Sequence, residues 1–466
     1  VNNASLSRLS SIHELRNVWL CSLDGEAVKP EFCHLTVVNG KIGEIRPADY
    51  RRYLSSSSDR VIPSPSSTES SREVIDARGR VATPPMVNFH EHFYSRLAKG
   101  LELPGPMNDF RNILKSFWWR LDQALDADMV EACARLGVAE SIRNGVIYVF
   151  DHHSSPNFVR GSLNTLARAL SEAGLCGVLC LETSDRNGRM ITEASFEEHR
   201  EFINQSVNRN IRGLVGLHAP FTLADQTLRR AASLCNELNT GIHIHLAEDR
   251  YEQQYSRDTF DCSAAVRLQS FGLLDRPGIL AHGVHLEPGD WQVLSEGQCA
   301  LALNPDSNLN NAVGLGRFAE IPGSISVLAG TDGMHANPAR SIKQLFLLHR
   351  HQGGEIAESF QFIRKIYFDQ VHFVRRFFPD YPDLKTGDPA DLVIWDYQPP
   401  SPFSADTFWG HLIYGLLESP AWTVLMQGKP LLADHSLRSV DPDSIFRSAA
   451  VQGARLFRKL GVKHHG

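Results

Sequence analysis

The stretch Val81-Ala82-Thr83-Pro84-Pro85-Met86-Val87-Asn88-Phe89-His90-Glu91-His92 is an apolar run that ends on two histidines one residue apart. Read as a strand, it puts His90 and His92 on one face, because side chains two apart project the same way. Two imidazoles so placed can grip one metal ion. The rest of the chain is tested against that site.

Similar short apolar runs recur at Val146 to Phe150, Gly174 to Leu181, Ile211 to Leu217, Gly241 to Leu246, Gly278 to Ala281, Cys299 to Leu303 and Ile325 to Ala329, which with Val81 to Phe89 makes eight. Each is followed by a helix-like stretch. Buried parallel strands read as near-continuous apolar runs, and strands alternating with helices imply right-handed βαβ units. Eight such units close into a (β/α)8 barrel, whose chemistry sits at the carboxyl ends of its strands. The barrel is assigned to residues 81–375. At the strand ends stand His90 and His92, then Asp151-His152-His153, Glu182, His218, His245 with Glu248, His282 and His285, Asn304 and Asp332. Eight of the chain's 20 histidines fall at these few places, so the ends define one polar mouth.

On either side of the barrel the pattern changes. Glu14 to Ile45 alternates apolar and polar residues around the hairpin turn Asn39-Gly40, and residues 55–71 are a Ser/Pro-rich interval read as an exposed loop. Beyond the barrel, turn chemistry from Leu384 to Asp391 leads into an expected strand, Leu392 to Trp395, and Trp422 to Leu432 carries two further short apolar runs. Residues 1–80 and 376–466 are therefore expected to build a small β-sandwich from both chain ends. The apolar spacing of Pro442 to Leu460 predicts a terminal helix.

The chain has 466 residues, 42% hydrophobic and 21% charged, enough for one large domain and a smaller one. A net charge of -6 with dispersed Lys and Arg gives no footprint for nucleic acid or an anionic membrane. The N-terminal stretch reads as no signal peptide, and no window reaches the roughly 18 consecutive apolar residues of a membrane span. The eight cysteines are scattered, without a CxxC pair, as in a reduced cytoplasmic protein. A small-molecule ligand is the expected partner.

A catalytic zinc takes three or four His or carboxylate ligands and keeps a position for water. His90, His92, His245 and Asp332 supply that set from three strands, and Fe2+ or Mn2+ would suit the same donors. Metal-bound water falls in pKa to about 7, and Glu248, three residues after His245, is placed to move its proton. Asp332 can serve as both ligand and base, and His282 can polarise a developing oxyanion. Asp151-His152-His153 is read as hydrogen-bonding support for the ligands, with substrate contact as the alternative, and His285 as structural. Phe117-Trp118-Trp119-Arg120 is either a packed aromatic cluster or a lid that stacks on a planar substrate, with Arg120 meeting its carbonyl or carboxylate.

Pro85 to His92, His243-Ile-His-Leu-Ala-Glu248, Leu280-Ala-His-Gly-Val-His285, Asn304-Pro-Asp-Ser-Asn308 and Gly330-Thr-Asp-Gly333 resemble motifs of the amidohydrolase superfamily. Within it, the chain resembles the aminohydrolase group of triazine chlorohydrolases and guanine, cytosine and S-adenosylhomocysteine deaminases. Phe117 to Asp122, Phe150 to His153, Gly216 to Leu223, Asn310 to Gly314 and Trp409 to Leu416 are similar to aminohydrolases of the SsnA type. The resemblance puts His90, His92, His245 and Asp332 on the metal, Glu248 and His282 on substrate and water, and His218 on substrate. Binuclear members carry a carboxylated lysine at the end of the fourth strand. Here Gly216-Leu-His-Ala-Pro220 has none, so the resemblance implies one divalent ion, with Zn2+ expected.

Pro85, Lys99 and Leu303 depart from the family pattern, and Lys99 and Leu303 point to an altered pocket wall. The candidate substrate contacts are His218, Trp118, Trp119, Arg120, His153 and Asn304. The expected reaction is hydrolytic deamination of an N-heterocycle of purine, pterin, pyrimidine or triazine type by a metal-activated hydroxide. Ring-opening of a cyclic amide and displacement of chloride use the same site, and a non-catalytic assembly protein on the same fold is the third reading. The family's habits imply a homo-oligomer, a dimer or larger.

Overall fold

The computed structural model describes residues 9–56, 73–205 and 210–462, so most of the Ser/Pro-rich interval lies outside the described residues. The N-terminal part supplies strands β1 (Glu14–Leu23), β2 (Val28–Val38), β3 (Lys41–Pro47), β4 (Val74–Asp76) and β5 (Val81–Thr83). β2 and β3 pair antiparallel across Asn39-Gly40, whose φ angles of 52° and 76° are those of the two-residue turn that matches the twist of a hairpin.

The barrel strands follow as β6 (Met86–Glu91), β7 (Val146–His153), β8 (Cys176–Leu181), β9 (Ile211–Gly213), β10 (Val215–Leu217), β11 (Ile242–Leu246), β12 (Ile279–His282), β13 (Ala300–Leu303) and β14 (Val327–Ala329). All pair in parallel, β6 to β9 as one run and β10 to β14 as another. Parallel bridges between Glu91 and Asp332 and between Thr183 and Leu217 join the two runs and close the barrel. At the second seam, His199 Nε2 accepts from the backbone N–H groups of Leu181 (3.0 Å) and Gly216 (2.9 Å), which satisfies donors the interrupted ladder leaves over. A Cβ on Gly216 would stand 2.3 Å from the Leu181 carbonyl oxygen, so only glycine permits this approach.

Two expected strands are redrawn. The run from Val81 to Phe89 is not one strand. Val81–Thr83 pairs with β1 and with β15 (Leu392–Trp395) in the small domain, and the barrel strand starts only at Met86. Pro84 and Pro85 have no N–H to give a ladder, so the chain changes sheets there. The run Ile211 to Leu217 is likewise interrupted at Leu214, leaving β9 and β10 to share the fourth barrel position.

The small domain is one continuous sheet, joined from both chain ends. β16 (Ala421–Met426), β17 (Lys429–Ala433) and β18 (Ser436–Leu437) extend it from β15, in the order β18-β17-β16-β15-β5-β1-β2-β3, with β4 on β1. The sheet folds over a core of its own, in which Leu15, Val18, Leu20, Leu35, Leu392, Ile394 and Leu425 meet. Cys21 and Leu23, further along β1, instead join the barrel's core, so one strand serves both layers. The terminal helix Pro442–Lys459 packs Ile445, Ala449, Leu456 and Phe457 against the barrel helix Ala127–Arg143. No described helix is long and apolar enough to cross a membrane.

Candidate metal centre

Barrel closure gathers the strand ends into one buried cluster. His90 projects from β6 and His92 stands just past its end, His245 projects from β11, and Asp332 follows β14; all are at least nine-tenths buried. Each imidazole is oriented through Nδ1. His92 Nδ1 donates to the His152 carbonyl at 2.5 Å, His245 Nδ1 donates to the His218 carbonyl at 2.8 Å, and His90 Nδ1 faces His243 Nε2 at 2.8 Å. Hydrogen bonding at one ring nitrogen leaves the other free for a metal. The Nε2 atoms converge: His92 Nε2 is 3.2 Å from His245 Nε2, and Asp332 Oδ1 is 2.7 Å from His92 Nε2 and 3.2 Å from His90 Nε2.

Asp332 has φ 52°, His282 78° and Ala247 50°, three left-handed non-glycine residues at strand ends around this cluster. Such conformations cost about 1–3 kcal/mol each and persist where surrounding structure imposes them. For Asp332 the imposing contacts are two hydrogen bonds, from the backbone N–H of Thr331 and of Asp332 to the His90 carbonyl, both 2.9 Å. They turn the carboxylate toward the imidazoles.

The electrostatics fit a cation. Burial pushes the His90 imidazole down to about 3, and burial together with the neighbouring histidines keeps His245 well below the usual range. Burial would raise Asp332, but His92 and His90 hold its carboxyl well below the usual range. Burial would lower His92 as well, but the Asp332 and Glu182 carboxylates outweigh it and lift that imidazole to about 10, so a divalent ion bound here would take the place of the His92 proton. An ionised carboxylate among imidazoles is a donor set for a borderline divalent ion. Donor atoms of His90, His245, His282 and Asp332 lie within 4.8 Å of one another, as do those of His90, His92, His152 and His245. The two groups share His90 and His245, which makes them parts of one centre.

Above the cluster lies a narrow cavity of about 40 Å3. Glu248 lines it, its carboxyl pushed well above the usual range by burial and then by the Asp332 charge. Glu248 Oε2 is 3.6 Å from His282 Nε2, and Asn311 Nδ2 donates to Oε1 at 3.4 Å. His282 is turned toward Glu248 because its Nδ1 is tied to Asn308 Oδ1 at 2.8 Å.

The aromatic wall comes from the loop after β6. Residues 110–124 are helical, with a π-turn over Leu114–Trp118 inside α-helix. The extra residue in that turn brings Trp118 and Trp119 both onto the cavity, together with Phe110 and Leu114. His218 and Phe221 form the facing wall, with the Trp119 and His218 rings 6.3 Å apart.

Three of the candidate substrate contacts are elsewhere. Arg120 donates to the Pro104 carbonyl at 3.0 Å, His153 Nε2 pairs with Ser155 Oγ at 2.8 Å, and Asn304 Nδ2 donates to the Ala302 carbonyl at 3.3 Å. None of the three lines the cavity. His285 Nε2 donates to the Val313 carbonyl at 2.7 Å and braces a loop. Sequence reasoning left Tyr94, Asp122, Glu182, Glu252 and Asn311 without a role, yet all line the cavity. Glu182 stood among the strand ends and could have been found. Asp122 is fixed by Arg186, 64 residues away, and no local pattern announces such a pair. Ser307, which donates to Asp332 Oδ2 at 2.5 Å, sat unassigned inside Asn304-Pro-Asp-Ser-Asn308.

A closed (β/α)8 barrel with a buried His/Asp donor set and a buried glutamate beside it is a metal-dependent hydrolase. Residues 81–369 match the amidohydrolase family, and the chain belongs to it. Over 397 residues it is 26% identical to a 5-methylthioadenosine/S-adenosylhomocysteine deaminase of Desulforudis audaxviator, covering 83% of this chain and 90% of that one. Its fold is similar to that of an adenosine deaminase from Xanthomonas campestris with bound zinc, at TM-score 0.74 and 18% identity, covering 96% of this chain and all of the other. It is also similar to an atrazine chlorohydrolase from Arthrobacter aurescens complexed with zinc, at TM-score 0.74 and 17% identity over 94% of this chain and 99% of that one.

Proposed function

We propose that the protein hydrolytically deaminates a small aminated N-heterocycle, with one Zn2+ held by His90, His92, His245 and Asp332. The observation that carries this reading is Glu248, a buried carboxyl beside the His/Asp cluster, 3.6 Å from His282 Nε2. Aminopurine derivatives are the first class to test, because the relatives are named as deaminases of adenosine derivatives. The zinc in those solved neighbours supports the choice of metal.

A divalent ion in this donor set activates water for attack near neutral pH. The chain's residues do the rest. Trp118, Trp119 and Phe221 offer flat apolar faces that hold a planar ring and exclude bulk water. Glu248 gives its proton to the ring nitrogen beside the carbon under attack, so that charge does not build up on the ring. It then takes the proton of the added hydroxyl and passes it to the amine, which leaves as ammonia as the product carbonyl forms. His282, aimed by Asn308, faces the oxygen that becomes the product carbonyl. His218, with Nδ1 paired to Thr222 Oγ1 at 3.0 Å, stands at the cavity wall as a substrate contact.

Purified, metal-analysed protein assayed for ammonia release over purines, pterins, pyrimidines and triazines tests this. Stoichiometric metal and ammonia are expected, with Glu248→Gln retaining metal and losing about 10²-fold or more in kcat. Undiminished turnover by Glu248→Gln would sink the assignment. Chloride release from a chlorotriazine without ammonia from any amine would instead favour the chlorohydrolase chemistry of the Arthrobacter neighbour.

A further inference from the structure

Glu182 stands just past the end of β8, lines the cavity and is more than nine-tenths buried, yet its Oε1 has no hydrogen-bond partner. The nearest polar groups are His92 Nδ1 at 3.5 Å, already committed to the His152 carbonyl, and His152 Nδ1 at 3.7 Å. A buried carboxyl left without a donor is costly, so a group entering the cavity that brings one gains that much in binding.

The surrounding charge narrows what that group is. Among the described residues no lysine or arginine lines the cavity, and the Arg186 guanidinium, 5.2 Å from the centre of the Trp119 ring, is bound to Asp122. Asp122, Glu182, Glu248, Glu252 and Asp332 give the lining five carboxyl groups. Apart from the metal, a ligand carboxylate would meet only acids and paired guanidinium in this lining. An N–H on a flat ring held by the tryptophans would meet an acceptor with no competitor.

Resting on the deaminase reading, we propose that Glu182 is a substrate-binding residue that accepts a hydrogen bond from a second N–H group of the heterocycle. It thereby selects rings with more than one amino substituent over rings with one, and over ligands bearing a carboxylate. This gives the substrate a chemical class: a diamino or guanidine-like heterocycle without an anionic tail.

The test uses the zinc-loaded full chain and two probe pairs, melamine against 2-amino-1,3,5-triazine and 2,6-diaminopurine against adenine. Binding is read from quenching of Trp118 and Trp119 fluorescence and turnover from ammonia. Melamine is informative because its threefold symmetry presents an amine to Glu182 in any orientation. We expect the polyamino member of each pair to bind about tenfold or more tightly, as a hydrogen bond to an otherwise unpartnered buried acceptor implies. The gap should shrink in Glu182→Gln and close in Glu182→Leu, with zinc content unchanged. Equal binding of both members by the wild type, or a gap that survives both substitutions, overturns the proposal. Variants that lose zinc overturn it too, because the carboxylate then supports His92 instead. A binding gap without ammonia from any probe upholds Glu182 as a recognition residue and overturns the deaminase reading alone.

Discussion

Ser307 Oγ donates to Asp332 Oδ2 at 2.5 Å, which leaves Oδ1 of the same carboxylate facing His92 and His90. One oxygen is occupied so that the other is presented, at a residue whose left-handed backbone gives it little freedom of its own. Ser307→Ala removes that hold without altering any metal donor. Metal affinity, measured by chelator competition, is expected to fall about 10–100-fold with the fold intact. Unchanged affinity would mean the backbone bonds to His90 are sufficient.

Removal of the metal should act on stability as well as on activity. The donor set exists only in the folded chain, so metal binds the native state and not the unfolded one. At free metal 100 times its Kd, the expected stabilisation is about 2.7 kcal/mol. Dialysis against a chelator should therefore lower Tm and abolish ammonia release, and added Zn2+ should restore both. A Tm indifferent to metal would contradict a site built from β6, β11 and the end of β14.

Gly137 couples the barrel's outer helix to the metal strand. A Cβ there would stand 2.4 Å from Cδ1 of Phe93, the fully buried residue that follows His92. Gly137→Ala gains helix propensity of about 1 kcal/mol but must displace a ring that is packed on all sides. A net loss of about 1–2 kcal/mol in urea denaturation is expected. A more stable variant would show that the Phe93 ring can move freely.

Glu252 predicts a pH dependence of stability. It is almost fully buried, its Oε1 accepts the Ala247 N–H at 2.9 Å, and burial pushes its carboxyl up to about 8. The folded state therefore holds the proton more tightly than the unfolded state does. Its contribution to stability is intact below the unfolded value and is lost progressively as pH rises to about 8, at up to ~1.4 kcal/mol per pH unit. Glu252→Gln keeps an acceptor oxygen and cannot ionise. From pH 6 to pH 9, wild-type Tm is expected to fall more steeply than that of the variant; parallel curves would refute the burial effect.

Much of the site is legible along the chain because a parallel barrel obeys a local rule. Strands alternate with helices, and functional residues follow each apolar run, so His90, His92, His245, His282 and Asp332 can be assembled by reading strand ends. Boundaries are less legible. Val81–Thr83 is as apolar as the strand after it, and only the prolines, which lack N–H groups, hint that it leaves for the other sheet.

The cavity walls follow no such rule. Arg120 adjoins two tryptophans that face the cavity, but its own side chain turns to Pro104, because a π-turn rotates each successive residue to a new direction. His153 follows His152 on the same strand and therefore points to the other side, where Ser155 binds it. Asp122 and Arg186, far apart in the chain, meet only once the loops after β6 and β8 pack together.

The sequence alone determined the barrel, the order of its strands and the strand-end positions of the four residues proposed as metal donors, because strand periodicity and parallel closure place those side chains without reference to anything distant. Tertiary structure decided which atoms each donor presents, which aromatic rings face the cavity, and that Glu182 stands in it without a donor. Those features depend on loop conformation and on contacts between residues remote in the chain, and neither has a period to be read.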